Sequence, residues 1–176
     1  TYGMLDTDVV LADCQAREAA GVHAYSIVTA GKALSDEEID IMCGTIRQIR
    51  QETTLSVCVS FGLLTESQFR RLKDAGVSRV HNNLETSERH FPNICTTHTY
   101  EEKEDHIRRI QKAGLEVCSG GIMGLGETDD DRIDMAFALR SHHVTSVPLN
   151  IFSPIPGTPF GKNKPPKPVE LWEEDV

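Results

Sequence analysis

LSVCVSFGLLTESQFRRLKDAGVSRVHNN, residues 55–83, reads as one strand–helix–strand unit. In 55–60, Val57 and Val59 face one way and Cys58 the other, because side chains alternate along a strand. Thr65-x-x-Gln68 is a capping box: hydroxyl and amide reciprocally satisfy free N–H groups at the start of a helix over 65–75. Gly76 supplies the left-handed residue that ends such a helix, and Val77 opens the next strand. The same signals recur on both sides. Ala20-Gly21-Val22 and Ala113-Gly114-Leu115 close other helices, and Ser35-x-x-Glu38 and Thr99-x-x-Glu102 open others. Ile39, Met42, Cys43, Ile46 and Ile49 keep one apolar helical face.

Strands are therefore expected at 22–29, 55–60, 77–84, 115–122 and 146–152, and helices at 7–20, 35–51, 65–75, 99–113 and 128–141. Such alternation with short links implies an α/β fold with parallel strands and right-handed crossovers. A TIM-type (β/α) barrel and a doubly wound sheet both satisfy it. The chain has 176 residues, enough for one core but short of the roughly 250 of a whole barrel. A partial barrel is expected over 1–160, followed by a tail over 161–176 that carries Pro165, Pro166, Pro168 and Trp172. With Thr1 in place of an initiator Met, both ends read as cut from a longer protein.

The formal net charge of −9 argues against a nucleic-acid partner, which would require a basic stripe. No apolar run approaches the ~20 residues of a membrane span. An odd number of cysteines, five, suggests a reducing compartment such as the cytoplasm.

Active sites of (β/α) barrels form at the C-terminal ends of the strands. At that end the expected strands carry Ser26; Cys58; His81, Asn83 and Glu85 on one side; Cys118, Gly120 and Gly121; and Asn150. A purely structural interior would carry Val, Ile and Leu there. Cys58 and Cys118 fall on alternate strands, which share a layer; two thiolates in one layer suit a soft metal or an iron–sulfur cluster, although two buried thiols satisfy the pattern too. SGGIMGLGET, 119–128, runs from a strand into a helix capped by Thr128. Its glycines permit close approach of a ligand to the backbone, but it has neither the Walker spacing nor the dinucleotide fingerprint.

Three blocks in this order, NNLETS (82–87) with FPNICTTHTY (91–100), CSGGIMGLGET (118–128) with Asp131-Arg132, and VPLNIFSPIPGTP (147–159), resemble the biotin synthase family of radical S-adenosylmethionine (SAM) enzymes. The resemblance spans about residues 1–160 and lacks the family's C-x-x-x-C-x-x-C loop. It implies sulfur insertion into dethiobiotin: a [4Fe–4S] cluster, its ligands outside this chain, cleaves SAM to a radical, and an auxiliary [2Fe–2S] or variant cluster supplies sulfide. It also implies a reducing donor such as flavodoxin or ferredoxin, a homodimer for the full-length protein, and little activity for this portion alone.

Residue by residue, the resemblance assigns SAM contacts to Asn83, Glu85 and Lys103, and to Gly120, Ile122, Gly124 and Glu127 of a G-x-I-x-G-x-x-E pattern. Lys103 stands where the family usually has Arg, and Glu85 where it often has Asp. Asn83 and Asn150 fall on substrate positions, and Cys58 and Cys118 on two of three auxiliary-cluster cysteines. The third position is Ser26 here, and Cys95, where an aliphatic residue is common, is the candidate replacement. Other radical SAM barrels, such as maturases and methylornithine-forming mutases, share the glycine block but are not expected to carry both Cys58 and Cys118 with the NNLETS and FPNICTTHTY block. A Schiff-base aldolase needs an interior strand lysine, and none of the expected strands has one. A non-catalytic barrel fragment is the remaining alternative.

Overall fold

A computed structural model describes residues 3–31 and 33–163. The expected tail lies outside the described residues from Lys164 onward. In chain order the elements are α1 (Thr7–Ala19), β1 (Ala24–Val28), α2 (Asp36–Glu52), β2 (Ser56–Ser60), α3 (Glu66–Ala75), β3 (Val77–His81), α4 (Phe91–Ile94), α5 (Tyr100–Lys112), β4 (Glu116–Cys118), β5 (Gly121–Met123), α6 (Asp129–Ser141) and β6 (Leu149–Ile151). They fall into two compact units, one of residues up to Asn82 with Asp105–Val117, the other of Asn83–Glu104 with the residues from Cys118.

The first unit is built on a sheet of order β1-β2-β3-β4, with β1–β2 and β2–β3 parallel. Its helices begin as the sequence requires. Ser35 Oγ accepts from Glu38 N while the Glu38 carboxylate accepts from Ser35 N, and Thr65 and Gln68 do the same. Gly21, Gly76 and Gly114 take positive φ, and at Gly76 a Cβ would stand 2.7 Å from the Arg50 side chain. One face of α2 (Ile39, Met42, Cys43, Ile46, Ile49) is buried, as are Phe69 and Leu72 of α3 and Val57 and Val59 of β2. Each large aliphatic or aromatic side chain buried this fully contributes about 1.5–3 kcal/mol. His106 of α5 is buried against Phe69, ring centroids 5.1 Å apart, and its Nε2 accepts from Leu64 N at 3.1 Å.

Three strands differ from expectation; the one expected over 146–152 is confined to Leu149–Ile151. β3 stops at His81 rather than running to 84, and its pairing with β2 shifts: Val57 partners Val77 but Cys58 partners Arg79. Ser78 is the extra residue of this bulge, its hydroxyl donating to the Val57 carbonyl at 2.9 Å. The bulge changes the phase of alternation, so that Val77 and Val80, three apart, are both buried. The single strand expected over 115–122 is two short strands, β4 and β5, which belong to different sheets.

In the second unit β5 and β6 pair in parallel, with Gly121 opposite Leu149, Ile122 opposite Asn150 and Met123 opposite Ile151. Glu85 adds a one-residue parallel bridge to Gly121, and Cys118 one to Ser146. α6 starts in a capping box of Thr128 and Asp131. The N-terminal turn of α5 is capped by Thr99 and Glu102, whose reciprocal bonds are 2.7 and 3.1 Å. The short helix α4 was not foreseen; Pro92 in its first turn is the local signal for it. No helix of the described residues is long and apolar enough to cross a membrane.

Candidate functional site

The second unit holds a cleft of about 240 Å³ lined by Glu85, Phe91, Ile94, Cys95, His98, Lys103, Ile122, Leu125 and Phe160. Three SAM candidates, Glu85, Lys103 and Ile122, therefore share it. The volume is somewhat under the ~300 Å³ lower end of small-molecule pockets, and it suits part of a nucleoside-sized ligand. Its walls are mostly apolar, with a carboxylate and an ammonium among them.

Glu85 is held from both sides of its backbone. Its N–H donates to the Gly120 carbonyl at 3.0 Å and its carbonyl accepts from Ile122 N at 3.0 Å. Its φ of +73° is a left-handed conformation unusual for a residue with a long side chain, a strain that persists only where the surroundings enforce it. Burial pushes the Glu85 carboxyl above its ordinary range, opposed by the positive charge of Lys103 and a hydrogen bond from Asn83. Asn83 is buried and braces the same turn: its Oδ1 accepts from Gly120 N at 3.0 Å and its Nδ2 reaches Glu85 Oε2 at 3.4 Å.

The glycine-rich loop is organised by two kinds of constraint. At Gly120 a Cβ would lie 1.8 Å from the Pro148 carbonyl oxygen, and at Gly121 one would lie 2.5 Å from the Glu85 carbonyl oxygen. These two glycines admit the chain's own backbone. Gly124 and Gly126 have φ of +101° and +100°, so the turn itself needs them. Glu127 closes the turn. Its carboxylate accepts from Gly124 N and Leu125 N, each at 2.8 Å, and from the Arg132 guanidinium at 3.0 Å, with its side chain 2% exposed. Glu127 thus shapes the loop from within, while Ile122 and Leu125 present apolar side chains to the cleft.

Cys95 belongs to the cleft wall. Burial pushes its thiol up, but the Thr97 hydroxyl, the amides of His98 and Thr97 and the charge of Lys103 together bring it below the ordinary thiol value. The Thr97 Oγ1 lies 3.5 Å from Cys95 Sγ. Cys118 is absent from that wall; its sulfur accepts from the Ser146 hydroxyl at 3.4 Å. Asn150 is exposed on β6.

In the first unit, Ser26 and Cys58 are direct partners in the β1–β2 register. Cys58 is half-exposed between the buried Val57 and Val59, and Cys118 likewise follows the buried Val117, as alternation requires. Among the described residues no three of His, Cys, Asp and Glu stand together as a metal site. Sequence reasoning did not single out Phe91, Ile94, His98, Leu125 or Phe160 as cleft residues. Leu125 lay inside the quoted glycine block, whereas nothing local marks Phe160.

A family model described as the radical SAM superfamily matches residues 1–139. The chain is 51% identical over 160 residues to a biotin synthase of Heliobacterium modesticaldum, covering 91% of this chain and 49% of that protein. It is 50% identical over 164 residues to a biotin synthase of Akkermansia muciniphila, covering 93% and 51%. The chain thus spans about half the length of these curated relatives. Among solved structures, a methylornithine synthase superposes with a TM-score of 0.80 over 91% of this chain and 48% of that one, at 17% identity. Identity that low speaks for the fold alone, and the fold is the parallel α/β arrangement of a partial radical SAM barrel.

Proposed function

Since this chain belongs to the radical SAM superfamily, we propose that it is the greater part of the SAM-binding barrel of an enzyme that converts dethiobiotin to biotin. The observation that carries this reading is identity near one half, over nine-tenths of the chain, to biotin synthases. Residues 1–160 are assigned to the barrel and 161–176 to a segment leading into the rest of the protein.

The cleft fits SAM in chemistry. Glu85 offers a carboxylate to the α-amino group of the methionine part, and Lys103 a positive charge to its carboxylate. A lysine makes that contact as a point charge, without the two-pronged grip of an arginine. Ile122 and Leu125 supply apolar surface for the adenine, and Gly120, Gly124, Asn83 and Glu127 hold the backbone that presents them. Asn150, opposite Ile122 on the neighbouring strand, and Asn83 are assigned to the ureido group of dethiobiotin. When bound, SAM and reduced iron–sulfur clusters supply the one-electron chemistry and the sulfur; the protein contributes binding, orientation and exclusion of water.

Cys58 and Cys118 are assigned to the auxiliary cluster, of the [2Fe–2S] or a variant type. For the third ligand Cys95 and Ser26 both remain candidates: Ser26 stands opposite Cys58 in the strand register, and Cys95 stands in the cleft wall. A flavodoxin or ferredoxin as electron donor, a homodimer and a cytoplasmic location complete the proposal.

The test uses the full-length protein, reconstituted anaerobically with iron and sulfide and supplied with SAM, dethiobiotin and a flavodoxin reducing system. Mass spectrometry should detect biotin together with methionine. Methionine release without biotin would assign the chain to a different radical SAM reaction.

A further inference from the structure

Asp131 is the N3 residue of α6, and its Oδ2 does what a capping residue does, accepting from Thr128 N at 2.8 Å and Thr128 Oγ1 at 2.7 Å. Its other oxygen has no part in the cap. Oδ1 accepts from the Ser87 hydroxyl at 2.6 Å and from Nε and Nη2 of Arg89 at 3.1 and 2.8 Å. The carboxylate is buried, as is Ser87, while Arg89 reaches it from a side chain that is 61% exposed. Ser87 is fully engaged, since its Oγ also accepts from His90 N at 3.1 Å.

Each of the two segments joined by this carboxylate adjoins part of the cleft wall, Glu85 on one side and Ile122 and Leu125 on the other. Ser87 lies two residues after Glu85, whose φ of +73° must be imposed by its surroundings. Thr128 lies directly after Glu127, which shapes the turn from Gly124 to Leu125. A helix cap requires one carboxylate oxygen and would be satisfied on an exposed helix end. Here the residue is buried and its second oxygen is given over to the 87–89 segment.

We propose that Asp131, through Ser87 and Arg89, is a positioning residue for the cleft: it fixes the Glu85 segment against the glycine-loop segment, so that carboxylate and apolar wall face one ligand together. This rests on the reading of the cleft as the SAM site. Neither Ser87, Arg89 nor Asp131 lines the cleft, so the effect is transmitted through backbone placement. A hydrogen bond to a buried charge is among the stronger kinds in a protein.

Ser87→Ala separates positioning from capping, because it removes the Ser87 bond to Oδ1, and with it the acceptor of His90 N, and leaves the Thr128–Asp131 box intact. Arg89→Met is the second variant; it removes the guanidinium from Oδ1 while Ser87 and Thr128 still donate to the buried carboxylate, and its unfolding midpoint is measured beside the binding. SAM binding to the full-length, cluster-loaded protein is measured by equilibrium dialysis, alongside the KM values for SAM and dethiobiotin. Ser87→Ala is expected to weaken SAM binding about ten-fold and Arg89→Met about three-fold. The KM for SAM should rise with them while that for dethiobiotin stays put, a split that a general loss of structure would not give. Unchanged SAM affinity in both variants, with wild-type binding intact, would overturn the positioning role alone. No SAM binding by the wild-type protein would overturn the reading of the cleft and this inference with it.

Discussion

Gly120→Ala in the full-length protein is expected to destabilise it by at least about 3 kcal/mol, at the upper end of what overpacking costs. The added Cβ would lie 1.8 Å from the Pro148 carbonyl oxygen and 2.8 Å from its carbonyl carbon. Both are backbone atoms, so no side-chain rotation relieves the clash. Relief requires the Gly120–Gly121 backbone to move away, which breaks the bond from Gly121 N to Pro148 O at 3.2 Å and the bond from Gly120 N to Asn83. The midpoint of chemical unfolding should fall, and SAM binding should be lost even where the variant remains folded. A midpoint within error of wild type would mean that the close approach of these strands is wrong.

Glu127→Ala is expected to lower SAM affinity by about a hundred-fold or more, some 2.7 kcal/mol on the binding scale. The side chain accepts from two loop amides and one guanidinium, and its removal leaves the Gly124 and Leu125 N–H groups without their acceptor. Removing one partner of a buried ion pair costs about 3–5 kcal/mol. The loss falls on the loop itself, whose glycines at φ near +100° have many other conformations open to them. Glu127→Gln should be intermediate, since its amide oxygen still accepts from one N–H. Titration of SAM into both variants checks the order; equal affinity for Glu127→Ala and wild type would contradict the bracing role.

The parts of the fold legible in the sequence were those specified over a few residues. Ser35 with Glu38 and Thr65 with Gln68 needed nothing beyond their own turn, and both boxes form. Gly21, Gly76 and Gly114 could be read because a left-handed residue after a helix favours glycine. What stayed hidden depends on partners distant in the chain. The break between β4 and β5 follows from Ser119 N bonding to the Ser146 carbonyl and from Pro148 packing on Gly120. The bulge at Ser78 depends on a carbonyl of the neighbouring strand.

The candidate site divides in the same way. Glu85, Lys103 and Ile122 came from the resemblance and share one cleft. Glu127 came with them, but only coordinates reveal that its carboxylate is spent on the loop. The sequence could not place the residues at 97, 98 and 103 around the sulfur of Cys95. Asp131 was read only as part of the block that carries the resemblance, since Ser87 and Arg89 lie more than 40 residues before it.

The claim that residues around Glu85, Ile122, Leu125 and Lys103 receive SAM is tested most directly through Cys95, the thiol in their wall. The full-length protein is treated anaerobically with N-ethylmaleimide over a range of SAM concentrations, and alkylation of each cysteine is followed by peptide mass spectrometry. Without SAM, Cys95 should react well ahead of the buried Cys14 and Cys43, for its thiol is held below the ordinary value while burial raises theirs. With SAM, alkylation of Cys95 should fall in a saturable manner, with half-protection at the dissociation constant found by dialysis. Alkylation of Cys95 at an undiminished rate in saturating SAM would place the ligand elsewhere.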